Sequence, residues 1–155
     1  MSASEGASAA DRIAAAQARR ATQKAAEAEA HADQLADDLE ALADLEGEHG
    51  YDRVLRIDLR GWKPGAGSAT MVVARIPLKR EDLFKRFEQS AARAKSGTDD
   101  ALKALHQLAE SCVVYPARKG DLYAGTLELA PGILSNIGLQ LVQHVQGAAE
   151  EEKKG

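Results

Sequence analysis

Along the first third of the chain the apolar positions are almost all alanine, and from about Ala9 to Leu45 neither proline nor glycine interrupts them. Ala, Glu, Gln, Arg and Lys lose little on entering a helix, so this stretch predicts one long helix. Leu35, Leu39 and Leu42 follow at steps of four and three, with Leu45 three further on. A leucine stripe therefore marks only the C-terminal half, too short for a sustained coiled coil. The expectation is a helix held by its last three turns, with a solvated front end and a stop bracketed by Gly47 and Gly50.

The period then changes from helical to alternating. In Tyr51–Leu59, Leu55, Ile57 and Leu59 alternate with Arg56 and Asp58, which predicts a half-buried strand. Thr70–Ile76 is a second run rich in β-branched residues, and Gly61–Ser68 between them is a glycine- and proline-bearing loop. A two-stranded hairpin is the simplest pairing, ended by Pro77. Helical spacing returns from Lys79 to Lys95, with Leu83, Phe84, Phe87, Ala91 and Ala94 on one side and Ser96-Gly97 as the stop. Thr98 is placed to cap a further helix, Asp99 to about Ser111, with Leu102, Leu105 and Leu108 on its inner side. Cys112-Val-Val-Tyr-Pro116 reads as extended, and Asp121 as the cap of a short helix to about Leu129. Pro131 suits the first position of a last helix that buries Leu134, Ile137, Leu141 and Val145 and stops at Gly147.

The fold class that follows is mostly α: a small helical domain with an N-terminal β-hairpin over residues 51–147, preceded by a long Ala-rich acidic arm over 1–46. Residues 148–155, charged and glycine-ended, are expected to be a disordered tail. At 155 residues there is room for one modest core, and with two Phe, one Trp and three Tyr it must be aliphatic. No run nears the roughly 20 apolar residues that cross a bilayer, and the opening Met1–Gly6 has neither the basic nor the apolar part of a secretory signal. With a single cysteine, Cys112, no internal disulfide forms, and a cytoplasmic location is expected.

The net charge of −4 conceals three unlike segments: −7 over residues 1–50, +6 over 51–95 and −3 over 96–155. The acidic arm could lie on the basic middle, or the middle could meet an acidic partner, and the simpler reading is solvated faces that cancel locally. Lys79, Arg80, Lys85, Arg86, Arg93 and Lys95 could also meet phosphate. Glu81, Asp82 and Glu88 are interleaved with them, however, and Lys85 and Arg86 lie four residues after Glu81 and Asp82, the order of helical ion pairs. That weighs against nucleic acid. Trp62, in the loop, is a candidate aromatic anchor for a protein partner, and equally a cap on the hairpin's own core.

Candidate chemistry is thin. A nucleophilic cysteine needs an oriented base, and His106 lies six residues before Cys112, on a different side of one helix. Cys112 reads instead as a small core residue. His31, His49 and His144 have no metal-ligand spacing, and Gly65-Ala-Gly67 lacks the Gly-Lys-Ser/Thr of a phosphate loop. No catalytic residue, cofactor or metal is expected. The candidate partner-binding residues are Trp62, Arg80, Lys85 and Arg86.

Arg75-Ile-Pro77 leads into a helix bearing Phe84 and Phe87. A second helix then runs into Cys112-Val-Val-Tyr-Pro116, and Pro131-Gly-Ile opens a terminal amphipathic helix ending at Gly147. That succession, over roughly residues 51–147, resembles the small tail assembly chaperones of long-tailed bacteriophages. The resemblance implies a protein without enzymatic activity, made in the host cytoplasm during infection, that escorts the tape-measure protein and recruits tail-tube subunits during virion morphogenesis. It further implies a longer product made by ribosomal slippage, for which Glu152-Lys153-Lys154 can supply the run of adenines. The Ala-rich arm is outside the resemblance and leaves open self-association through the N-terminal helix, or a place in the virion. The alternatives are a structural virion protein, such as a connector or baseplate component, and a basic nucleic-acid-binding module.

Overall fold

A computed structural model describes residues 7–59, 67–95 and 98–154. The chain divides into two units, residues 1–36 and 37–155, and the division falls inside the first helix. That helix, α1 (Ala9–His49), opens on a reciprocal cap: the Asp11 N–H donates to Ser8 Oγ at 3.1 Å and the Ser8 N–H to Asp11 Oδ2 at 3.3 Å. In the first unit every described residue from Ala7 to Asp33 is exposed. The helix runs straight through Gly47, since one glycine among good helix formers costs only about 1 kcal/mol. It ends at Gly50, whose φ of 97° is open to glycine and strained for other residues.

The second unit is built on a three-stranded antiparallel sheet in the order β1-β2-β3: β1 (Val54–Asp58), β2 (Met71–Arg75) and β3 (Val113–Tyr115). The hairpin pairs Leu55 with Ala74 and Ile57 with Val72. The extended Cys112–Pro116 segment supplies the third strand, with Tyr115 opposite Val73 and Val113 opposite Ala74, so Val114 is the extra residue of a bulge. β1 and β3 are the edges, and Arg56 and Asp58 on β1 are exposed.

Both faces of the central strand are covered. Val72, Ala74 and Ile76 join the core with Phe84, Leu108, Cys112, Ile133, Ile137 and Leu141, which come from α2 (Asp82–Arg93), α3 (Asp99–Cys112) and α5 (Gly132–Lys154). On the opposite face Met71 and Val73 are also buried. Tyr115 lies on that same face because it pairs with Val73, and its hydroxyl reaches Asp38 of α1. The end of α1 therefore forms a third layer behind the sheet. Leu42 is buried there, and so is the carboxyl group of Asp38, whereas Leu39 is 42% exposed. Of the expected stripe Leu35 and Leu45 are half-buried and Leu42 is buried, while Asp38, bound to Thr70 and Tyr115, takes the inward place expected for Leu39.

Several expected features differ in detail. In α3 the inner side is Ala104, Leu108, Ala109 and Cys112, with Leu102 exposed. Thr98 stands at the cap of α3, but its hydroxyl donates backward to the Lys95 carbonyl at 2.6 Å. Gly120, not Asp121, is the cap residue of α4 (Asp121–Tyr123), which continues as a π turn over Ala124–Glu128. α5 passes Gly147, expected as its stop, and the segment expected to be disordered is helical as far as Lys154, since Ala148-Ala-Glu continues with strong helix formers. Where α3 meets α5, a Cβ on Gly138 would lie 2.3 Å from the Leu105 carbonyl oxygen, so only glycine permits this approach.

Candidate functional site

The entry to β2 is tied from two directions by side chains. Asp38 Oδ2 accepts the Thr70 N–H at 2.7 Å and the Thr70 hydroxyl at 2.5 Å, and Oδ1 accepts the Tyr115 hydroxyl. One residue earlier, the Ala69 N–H donates at 2.8 Å to Thr126 Oγ1, whose own proton goes to the Leu122 carbonyl at 2.7 Å. Asp38 and Thr126 are fully buried, and both are bonded, as burial of polar groups requires. Composition and spacing did not single out these residues. The available signal was an acid at position 38, three after Leu35 and four before Leu42, on the side a leucine stripe would turn inward.

At the exit of β2, Arg75 meets Glu81 through two hydrogen bonds, 2.9 and 3.1 Å long. Glu81 also accepts the Leu78 N–H at 2.9 Å, which fixes the turn before α2. The hydrogen bond from Arg75 holds the Glu81 carboxyl below its usual value, and the same bond raises the Arg75 guanidinium above its own. The helical pair expected between Glu81 and Lys85 is therefore replaced, since Glu81 precedes the helix and turns back to the strand.

Of the candidate partner-binding residues, Trp62 lies outside the described residues. Arg80, in the turn before α2, and Lys85 and Arg86, on α2, are all exposed. Arg86 does more than face solvent, because it borders a groove of about 150 Å³ between α2 and α3. From α2 the groove takes Leu83, Arg86, Phe87 and Ser90. From α3 it takes Ala104, Gln107, Leu108 and Ser111. Phe87 is held against the buried Phe84, ring centroids 5.6 Å apart and planes at 41°.

Among the described residues, the other titratable groups with shifted values are Cys112 and Tyr123. Cys112 is buried, and loss of solvation pushes its thiol up to about 11, far from a reactive thiolate. His106 turns to Glu110, Nε2 to Oε1 2.8 Å, and Arg118 approaches the other oxygen of Glu110 at 3.6 Å. Beside them Tyr123 is raised first by burial and then by Glu110. Among the described residues no cluster of three metal-ligating side chains occurs, and no helix is long and apolar enough to cross a membrane.

Neither a protein-family model, nor a curated protein, nor a solved structure matches the chain.

Proposed function

We propose that the chain is a tail assembly chaperone of a long-tailed phage, a non-enzymatic protein that binds the tape-measure protein and recruits tail-tube subunits in the host cytoplasm. One observation carries the reading: the short motifs behind the resemblance are a single piece of structure. Arg75-Ile-Pro77 ends the central strand, Cys112-Val-Val-Tyr-Pro116 contributes the strand paired beside it, and Phe84 sits in the core below both. Next to this frame α2 carries the exposed Lys85 and Arg86, with exposed Arg80 in the turn before it, and Arg86 borders the groove shared with α3. A chaperone for a long client works by contacts that form and exchange quickly, and a basic surface favours rapid encounter with an acidic one.

Co-expression with the tape-measure protein encoded nearby tests the proposal. The full chain is expected to raise the client's soluble fraction, and charge reversal of Arg80, Lys85 and Arg86 to lower it again. An insoluble client in both cases, or retention of this protein in purified particles, would move the reading to a structural virion component. Salt-dependent binding to DNA would move it to the nucleic-acid alternative.

A further inference from the structure

We propose that the groove between α2 and α3 receives an acidic amphipathic helix of the partner, about two turns long, lying along the two helices. The inference rests on the protein-binding reading above and names the chemistry of the bound segment.

Size sets the class of occupant. Small-molecule pockets run to about 300–1,000 Å³, so a groove of about 150 Å³ suits one or two inserted side chains better than a free ligand. Its walls set the occupant's shape. On α2 the lining positions 83, 86, 87 and 90 follow the order i, i+3, i+4 and i+7, and on α3 positions 104, 107, 108 and 111 repeat that order. Each helix thus offers one straight face for about two turns, some 10 Å, and a third helix with the same spacing would match it. The floor is apolar, from Leu83, Phe87 and Leu108, and Ala104 gives it depth. The upper edge is polar, with a hydroxyl at Ser90 and an amide at Gln107.

Charge sets the sign. The charged side chain among those lining the groove is the cation Arg86. In the same stretch of chain, residues 79–95, Lys79, Arg80, Lys85, Arg93 and Lys95 are exposed as well, against the exposed acids Asp82 and Glu88, while Glu81 is committed to Arg75, so positive charge is in excess. An acidic helix with apolar residues at i, i+4 and i+7 satisfies both the floor and the rim, and a basic helix would satisfy only the floor.

The probe is a capped helix-forming peptide of about 18 residues with leucines at those spacings in a glutamate and alanine background, paired with a twin carrying lysine for glutamate. Fluorescence anisotropy against the full chain should show binding of the acidic peptide, weakened by salt, and about tenfold weaker binding of the basic twin. Arg86→Glu should reverse that preference. Ser90 is exposed, so Ser90→Trp should fill the groove and abolish binding while thermal unfolding stays as in the unaltered chain. Arg56→Glu, on the exposed edge of β1, should change neither affinity. Equal affinity for the two peptides, no binding of either, unchanged binding to Ser90→Trp, or a loss with Arg56→Glu equal to that with Arg86→Glu would each overturn the proposal. Co-expression separates it from the chaperone reading. Ser90→Trp that still solubilises the tape-measure protein removes the groove and leaves the function, whereas peptide binding without any client rescue removes the function and leaves the groove.

Discussion

The hydroxyl of Tyr115 donates to the carboxyl group of Asp38, 77 residues earlier in the chain. The same carboxyl group takes the N–H and hydroxyl of Thr70, so one side chain on α1 holds both β2 and β3. The arrangement converts a polar residue that would disfavour burial into the fastening of a layer, because each buried group has its partner.

Tyr115→Phe removes one donor from Asp38 and should cost about 1–3 kcal/mol, while Asp38→Ala strands the donors of Thr70 and Tyr115 and should cost more. The double variant should be less destabilised than the two losses added together, by about 1 kcal/mol or more. Denaturant unfolding of the four proteins measures this. Strict additivity would mean that the two groups do not act through each other.

Glu81 gives stability a pH dependence of predictable sign. Its folded value lies below the ordinary 4.5, so its pairing with Arg75 contributes fully above that pH and is lost as the pH falls through the folded value. Glu81→Gln should lower stability at neutral pH by about 1 kcal/mol, as suits a half-exposed pair, and should flatten the acid limb of the stability curve. Chemical denaturation at neutral pH and at acid pH compares the two proteins. A difference that persisted unchanged into acid would contradict the assignment.

Gly138→Ala is the smallest change that should do large damage. The added methyl group would meet backbone of Leu105, its carbonyl oxygen at 2.3 Å and carbonyl carbon at 2.8 Å, and backbone cannot turn aside as a side chain can. Overpacking of this kind costs about 1–3 kcal/mol, and the upper end is expected. Gly147→Ala, with nothing within 4 Å of the new Cβ, should be neutral or stabilising. A thermal melt of each variant decides between these outcomes.

Elements with a clean period could be read directly from the residues. The alternation of Leu55, Ile57 and Leu59 predicted β1, and Leu134, Ile137, Leu141 and Val145 are all buried on α5. Choices between neighbouring positions could not be read, since they depend on what arrives from elsewhere. Leu39 and Leu42 look alike in sequence, yet only Leu42 is buried, because the helix is rotated to bring Asp38 to Thr70 and Tyr115. Glu81 has the correct spacing for Lys85 but a better-matched guanidinium at Arg75. The α2–α3 groove was half legible: Arg86 stood out by its charge, whereas Ser90, Gln107 and Ser111 gain meaning only once two helices lie side by side. β3 was legible as an extended segment but not as a member of the sheet, since three residues do not show their pairing until β2 is beside them.

The two edges of the sheet bear on how copies of this chain can meet. β1 is five residues long, and its exposed positions 56 and 58 carry opposite charges. β3 is shorter still, three residues with a bulge against its neighbour. A strand from another molecule finds too little regular backbone on either side and a charged border on one, which is how sheet proteins discourage growth edge to edge. Many copies held close together therefore need not end in fibrils.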